Sequence, residues 1–344
     1  MGIVGFGRIG AEHAGWISAA NGLHAAAVSD ATPARRDRAA SRGLRTYVDI
    51  ESMLEDRVID AVLIATPTAM HFPHALLALE AGKHVMIEKP MALDLEESRQ
   101  LVLKAEASNK VLSVFHNRRW DVDYLTVKSA IASGAFGKLI NVESRLGQFS
   151  SCVGPAAKEY RPGWRNEASF GGGGLYDWGS HFVDQLWRLL WPAKPVRVFA
   201  QLRGNVWTTD CDDFARVLID FDNNAVGLCE INTTTACPLP RWHIDGVKGS
   251  ATAPPSPEFD TSRWAELAFI PPEPDGTMRM FPRAEPGFTE VQIWERFAAA
   301  VRGDGLPAVT GASVLPTMAL LDAARQSSRH QEACDVQGMV EWVY

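Results

Sequence analysis

The stretch GGGGLYDWGSHFVDQ, residues 171–185, sets an acid, an imidazole and a second acid at helical spacing: Asp177, His181 and Asp184 stand at i, i+4 and i+7. Such a stripe beside apolar residues can be a proton-transfer face, part of a metal site, or an ordinary solvated face. A histidine titrating near neutrality suits proton transfer, and an acid one turn earlier can set its tautomer or bind a substrate hydroxyl. Asp and His at i, i+4 can also ligate zinc, but no third ligand stands out, so no metal is expected. In an arbitrary helix the pair reads as a surface ion pair. The glycine run weakens that reading, because four glycines in succession permit close approach of backbone or ligand.

A second motif lies at the start of the chain. Gly5-Phe6-Gly7-Arg8-Ile9-Gly10 follows an apolar strand and opens a helix, and Asp30 lies 20 residues beyond Gly10, at the end of the next strand. This is the dinucleotide fingerprint. Gly5 allows the tight turn, Gly7 lets backbone N–H groups reach a pyrophosphate, and Gly10 brings the helix against the strand. The helix N-terminus adds partial positive charge for the same anion. Asp30 can accept both ribose hydroxyls and would repel a 2′-phosphate. Arg35 and Arg36, just after Thr32-Pro33, could pair with such a phosphate or stack on adenine. NAD is therefore the expected cofactor, with NADP left open.

Both motifs need elements to hold them. Apolar runs at 2–5, 24–29, 61–65, 84–87 and 111–115 read as buried parallel strands, with helical patterns between them. One helix covers 70–81 and ends at Gly82; another runs from 95 to about 108 behind Asp94, with Glu97 completing a capping box. This alternation predicts a doubly wound parallel sheet. After residue 118 the rhythm changes. A helix at 123–133 is followed by strands near 138–148, 196–204, 213–221, 225–235 and 241–246, with Asp222-Asn223-Asn224 as a hairpin turn. Residues 253–287 carry Pro254, Pro255, Pro257, Pro271, Pro272 and Pro274 and read as loop; helical patterns return at 289–302 and 312–327. The expected organisation is a Rossmann domain over 1–118 and an α+β domain over 119–344 with an open, mostly antiparallel sheet.

With 344 residues, a net charge of −7 and no basic stripe, the chain offers nucleic acid no footprint, and no apolar run approaches a membrane span. Met1–Gly5 enters a strand at once, leaving no room for a signal peptide, which points to the cytoplasm. Cys152, Cys211, Cys229, Cys237 and Cys334 are odd in number and scattered, with no CxxC, so they read as thiols without chemistry. Val217, Ile219 and Phe221 alternate with polar neighbours, and a sheet covered by helices on one side only could bury its other face in a homodimer or homotetramer.

Taken together, GFGRIGAEH (5–13), ATPTAMHFPHALLALEAGKHVMIEKP (65–90), HNRRWD (116–121), GWR (163–165) and GGGGLYDWGSH (171–181) resemble the glucose–fructose oxidoreductase / inositol dehydrogenase (Gfo/Idh/MocA) family over nearly the whole chain. The resemblance implies an active site in the cleft between the two domains. It places Lys89 and His181 at the reacting carbon with Asp177 as their partner. It puts Glu88, Thr66, Pro67 and His71 along the cofactor groove and Asn117 and Arg118 where the chain enters the cleft. Trp164-Arg165 would reach over the nicotinamide half of the cofactor. Lys89 also sits where ligands bind in such sheets, at the C-terminal end of a strand.

The implied activity is hydride transfer between a nicotinamide and a hydroxyl or carbonyl carbon of a sugar, inositol or related polyol. His181 is the first candidate for the proton acceptor, with Lys89 as a positive charge at the developing oxyanion. Burial beside a cationic nicotinamide lowers a lysine pKa, so Lys89 is the alternative base. Two rival functions share the scaffold: a cofactor-binding sensor without turnover, and an enzyme using tightly held NAD as an internal redox relay. Asp184 and Gln185 either hold substrate hydroxyls or face neighbours. Substrate choice is expected to lie near 117–124, 147–165 and 231–243.

Overall fold

The computed structural model describes residues 1–152, 163–256, 259–272 and 276–342. Six parallel strands form the first sheet: β1 (Gly2–Val4), β2 (Ala27–Ser29), β3 (Arg45–Tyr47), β4 (Ala61–Ile64), β5 (His84–Ile87) and β6 (Leu112–Val114), in the order β3-β2-β1-β4-β5-β6. Helices α1 (Arg8–Ala19), α2 (Pro33–Ala40), α3 (Ile50–Leu54), α4 (His71–Glu80) and α5 (Leu95–Ala107) connect them. The central strands are short and almost wholly apolar because helices cover both of their faces. Strand β3 escaped the sequence reading: its three residues lie at the sheet edge, two of them exposed, and carry no buried apolar signal. The predicted strand over 24–29 contracts to its last three residues. Asp94 caps α5 by accepting from Glu97 N at 2.8 Å, but the Glu97 carboxylate takes Leu93 N at 3.0 Å in place of Asp94 N. The expected capping box therefore closes one residue further back.

The second sheet is mixed. Its strands are β7 (Leu139–Gly147), β8 (Pro195–Arg203), β9 (Phe214–Phe221), β10 (Val226–Asn232), β11 (Trp242–Gly246), β12 (Gly249–Thr252), β13 (Ala268–Ile270), β14 (Arg279–Met280) and β15 (Cys334–Asp335). The order is β14-β13-β12-β11-β7-β10-β9-β8-β15, antiparallel except where β10 runs parallel to β7. A parallel pair needs a crossover, and α7 (Ser180–Leu190), which packs on both strands, supplies it. Helix α10 (Leu315–His330) lies beside α7 over the same face, and α6 (Val122–Ala132) leads into the sheet. Val217, Ile219 and Phe221 point under these helices and are buried, so the face left open is the alternate set, Arg216, Leu218 and Asp220.

The Pro-rich segment is more ordered than its composition suggests. It holds α8 (Thr261–Trp264), β13 and β14, anchored by buried Trp264 and Phe269. Proline is tolerated between edge strands, which is where these lie; Pro257 and Pro274 fall outside the described residues. Helix α9 (Glu290–Val301) returns to the first sheet: Ile293, Trp294 and Phe297 enter the core formed by Ile3, Phe6 and Ile17. A division at residue 118 thus follows the sequence but cuts across this packing.

Candidate active site

A cleft of about 990 Å³ runs along the C-terminal ends of β1, β4 and β5 and continues against the glycine-led segment before α7. Its nucleotide end is made of backbone. Gly5, Gly7, Arg8 and Ile9 line it. A Cβ on Gly10 would sit 2.0 Å from the Gly5 carbonyl oxygen, so only glycine lets α1 start this close to β1; at Gly7 the nearest atom would be Arg35 Cζ, 3.8 Å away. The first turn of α1 has no side-chain cap, which leaves its N–H groups for an anion. Asp30 lines the cleft and also holds the loop, accepting Phe6 N at 2.7 Å and Thr32 N at 2.8 Å. Arg35 stands 3.5 Å from that carboxylate and lines the cleft, whereas Arg36 turns to the Asp30 carbonyl at 2.7 Å.

Phe6 and Gly10 do not line the cleft. For Phe6 this corrects the sequence reading. Its ring is fully buried beneath the Arg38 and Arg42 guanidiniums, and its N–H is spent on Asp30. Gly10 acts through packing alone.

Thr66, Pro67, His71, Glu88 and Asn117 all line the cleft, but two of them face inward for their hydrogen bonds. His71 bridges two loops, Nδ1 to the Pro90 carbonyl at 2.8 Å and Nε2 to the Thr66 carbonyl at 3.0 Å. Burial lowers its pKa, against the pull of those carbonyls. Glu88 accepts His13 Nε2 at 2.6 Å and Lys89 N at 3.1 Å, and Trp294 Nε1 donates to His13 Nδ1 at 3.1 Å. An indole N–H can only donate, so His13 carries its proton on Nε2 and gives it to Glu88. Burial pushes the Glu88 carboxyl up, and His13 and Lys89 outweigh it, leaving it below the usual range. This chain from α9 through α1 to the residue before Lys89 was not anticipated; two aromatic-flanked core positions give no signal in the sequence.

At the other end of the cleft Lys89 meets Asp177. Lys89 Nζ donates to the Asp177 carbonyl oxygen at 2.6 Å and stands 3.3 Å from Oδ1; Arg165 Nε lies 3.4 Å from the same Oδ1. Burial raises the Asp177 pKa, and Lys89 and Arg165 more than reverse the effect. His181 lines the same cleft. It makes no hydrogen bond to Asp177: its buried Nδ1 has no partner, and its nearest ring neighbour is His116, edge to face at 5.5 Å between centroids. The expected tautomer-setting role of Asp177 is thus not seen; its carboxylate is shared between two cations. Burial, followed by the charges of Lys89 and Arg118, holds the His181 pKa well below its ordinary value, so the ring is neutral.

The i, i+4, i+7 stripe also needs correction. Leu175–Gly179 is a π turn that passes into α7 at Ser180. One extra residue in that turn rotates everything after it by about 100° relative to a continuous α-helix. Asp184 consequently points inward, paired with Arg119 at 2.8 Å through both oxygens and accepting from Thr317 at 2.7 Å. Gln185 donates to the Arg118 carbonyl and accepts from Arg241. Both face neighbours. The glycine run is explained by contact: Gly171 has φ +72°, and a Cβ there would meet Leu93 at 2.7 Å and Thr68 at 2.8 Å, across from the first sheet. Two acids of one loop then fix the segment through backbone N–H groups: Asp210 takes Ala168 N and Asp212 takes Leu175 N, while Asp213 braces their own loop by taking Asn205, Val206 and Trp207 N. In the sequence, TTDCDDF reads as a solvated loop and hides them.

Trp164 and Arg165 both line the cleft, the guanidinium 4.4 Å from the indole centroid. Asn117 donates to Glu290 at 3.3 Å. Trp178 and Cys152 line the cleft as well; the sequence reading singled out neither. Burial, with Asp177 and Asp212 nearby, pushes the Cys152 thiol pKa well up, which keeps it protonated. Of the segments expected to set substrate choice, 153–162 lie outside the described residues. Among the described residues no three His, Cys, Asp or Glu side chains gather as a metal site, and no helix is long and apolar enough to cross a membrane.

Comparison with known proteins agrees with this architecture. A family model described as oxidoreductase family, NAD-binding Rossmann fold, matches residues 1–116, and the GFO/IDH/MocA C-terminal domain model matches 124–252. The chain is 32% identical over 254 residues to the uncharacterized oxidoreductase YdgJ of Escherichia coli, covering 73% of this chain and 69% of that protein. It is 35% identical over 164 residues to the scyllo-inositol 2-dehydrogenase (NADP(+)) IolW of Bacillus subtilis, covering 47% of this chain and 44% of IolW, less than half the length of either protein. A solved NAD-binding protein from Listeria innocua superposes with a TM-score of 0.85 at 28% identity, covering 100% of this chain and 98% of its own.

Proposed function

Because this chain belongs to the Gfo/Idh/MocA family of NAD-binding oxidoreductases, we propose that it oxidises a hydroxyl carbon, or reduces the corresponding carbonyl, of a sugar, inositol or related polyol. The observation that carries this reading is the meeting of Lys89, Asp177 and His181 in a cleft whose other end is the glycine loop and Asp30. The uncapped first turn of α1 and the open space at Gly7 fit a dinucleotide pyrophosphate. Asp30 keeps lone pairs for ribose hydroxyls after its two backbone bonds, which favours NAD; Arg35 beside it is the residue that would admit NADP. When bound, the nicotinamide supplies the hydride acceptor or donor.

The rest of the chemistry falls to side chains. Neutral His181 accepts the substrate hydroxyl proton as the carbonyl forms, and returns it in reverse. Lys89, fixed by two bonds to Asp177, stabilises the oxygen as its charge grows. Arg165 and Lys89 together keep Asp177 ionised and available to a neighbouring hydroxyl. IolW is named as a dehydrogenase of an inositol, in line with this class. The test is nicotinamide absorbance over a panel of sugars and inositols. Turnover of at least one, abolished in Lys89→Ala and His181→Ala, is the expected result; full activity in both variants would falsify the mechanism.

We further propose a homodimer or homotetramer closed through the open sheet face, where Phe199 and Leu218 are each 38% exposed among ion pairs such as Arg197–Asp220 and Arg216–Glu230. A monomer mass by light scattering would contradict it.

A further inference from the structure

The substrate end of the cleft carries more positive charge than proton transfer requires. Lys89 and Arg165 share a single carboxylate, Asp177. A third cation, Arg118, lines the same cleft and belongs to neither pair. Its guanidinium packs against a stacked pair of rings, 3.9 Å from the Phe259 centroid and 5.2 Å from that of Trp178, the two centroids being 5.1 Å apart. It gives Nη1 to Asp121 at 3.1 Å, while its buried Nε has no hydrogen-bond partner. Burial raises the Asp121 pKa, with a further push from Asp123 and against the pull of Arg118. The charged residues acting most strongly on His181 are likewise cations, Lys89, Arg118 and Arg119.

A guanidinium fixed against two rings and tied to Asp121 keeps a defined position at the cleft wall, and charge-assisted N–H···O bonds from such a group bind carboxylates. An oxidised nicotinamide adds one more positive charge to the same space. On the reading above, which this deepens, we propose that the substrate is an acidic polyol, a sugar or cyclitol bearing a carboxylate, and that Arg118 anchors that carboxylate while Lys89 and His181 address a hydroxyl carbon of the same molecule. Arg118 is thereby a specificity residue, felt in substrate binding rather than in the chemical step.

The experiment uses pairs that differ only at one carbon, glucose against glucuronate and galactose against galacturonate, with glucose 6-phosphate as a third arm. Each is assayed by nicotinamide absorbance and by thermal shift of the NAD complex, for the wild type, Arg118→Met and Arg118→Lys. The expected result is a preference for the carboxylate of roughly tenfold or more in kcat/KM or in the concentration giving half the shift. Arg118→Met should lose it through KM with kcat within about threefold, Arg118→Lys should restore part of it, and NADH affinity should stay unchanged in both. Wild-type protein that handles the neutral sugars as well as the acids, or prefers the phosphate ester, overturns the proposal while leaving the dehydrogenase reading intact. Acid-specific, Arg118-dependent thermal shifts without any turnover support the anchor and count against the dehydrogenase reading. Flat thermal shifts for the acids overturn the anchor whatever the turnover.

Discussion

The two ends of the cleft are built on different principles. The nucleotide end is local and made of backbone: one loop, one uncapped helix start and one aspartate that ties the loop to the next strand. The other end, where we propose the substrate binds, is long-range and made of side chains, with Lys89 after β5, Arg118 after β6, Arg165 and Asp177 before α7, and His181 within it. Two acids on the same helical segment sharpen the contrast. Asp177 lies in the cleft with contacts of 3.3 and 3.4 Å that a ligand could displace. Asp184 is sealed below with two 2.8 Å bonds to Arg119 and a contact to Arg188. The lesson is that residue type does not separate an acid that lines the cleft from one sealed in the core; the π turn between them does.

The sharpest way to break this contrast is to remove the cation at the reacting end. Lys89→Met should lower kcat by roughly 10²–10³-fold, while a fluorescence titration finds NADH affinity within about threefold of wild type. A parallel loss of cofactor affinity would merge the two ends. Asp184→Asn should act in the opposite manner. Breaking a buried pair leaves the Arg119 charge without its carboxylate and costs about 3 kcal/mol of stability, read by denaturant unfolding, while kcat of the surviving folded protein stays near wild type. At the nucleotide end, Gly10→Ala pushes α1 off β1, an overpacking effect of about 1–3 kcal/mol. It should weaken NADH binding about tenfold or more and leave the pH profile of turnover unchanged.

The smallest effect concerns His116, behind His181. Both of its ring nitrogens are buried without partners. Burial takes its pKa from 6.5 down to about 4. Between those values the unfolded chain binds the proton and the folded one does not, so stability falls as pH drops from 6.5 towards 4. At pH near 5.5 the loss is about 1 kcal/mol. His116→Leu should remove that part of the acid sensitivity and be close to neutral at pH 7; an unaltered slope of stability against pH would show that other groups carry it.

How much of this was legible in the sequence follows the same division. The glycine loop, Asp30, the parallel strands and the hairpin at Asp222–Asn224 could be read because each is set by neighbours in the chain. Spacing raised Asp177 and His181 and the resemblance joined Lys89 to them, but their contacts depend on tertiary placement. Spacing made Asp184 a site candidate and tied Asp177 to His181; one inserted residue in a helical turn undid both, and periodicity cannot detect such an insertion. Phe6 fits the motif, yet its ring sits in the core because the loop turns inward there. The Trp294–His13–Glu88 chain joins residues 281 and 75 positions apart, and no local pattern marks such a link.

The central claim is that both ends serve one reacting carbon. A crystal structure of the protein with oxidised NAD tests it most directly. The account predicts the pyrophosphate at the start of α1, the adenosine ribose on Asp30, and the nicotinamide ring facing the space between Lys89 and His181, with its reactive carbon within about 3–4 Å of where a substrate carbon would lie. A nicotinamide turned away from both residues, or a cofactor seated elsewhere than on the glycine loop, would contradict it.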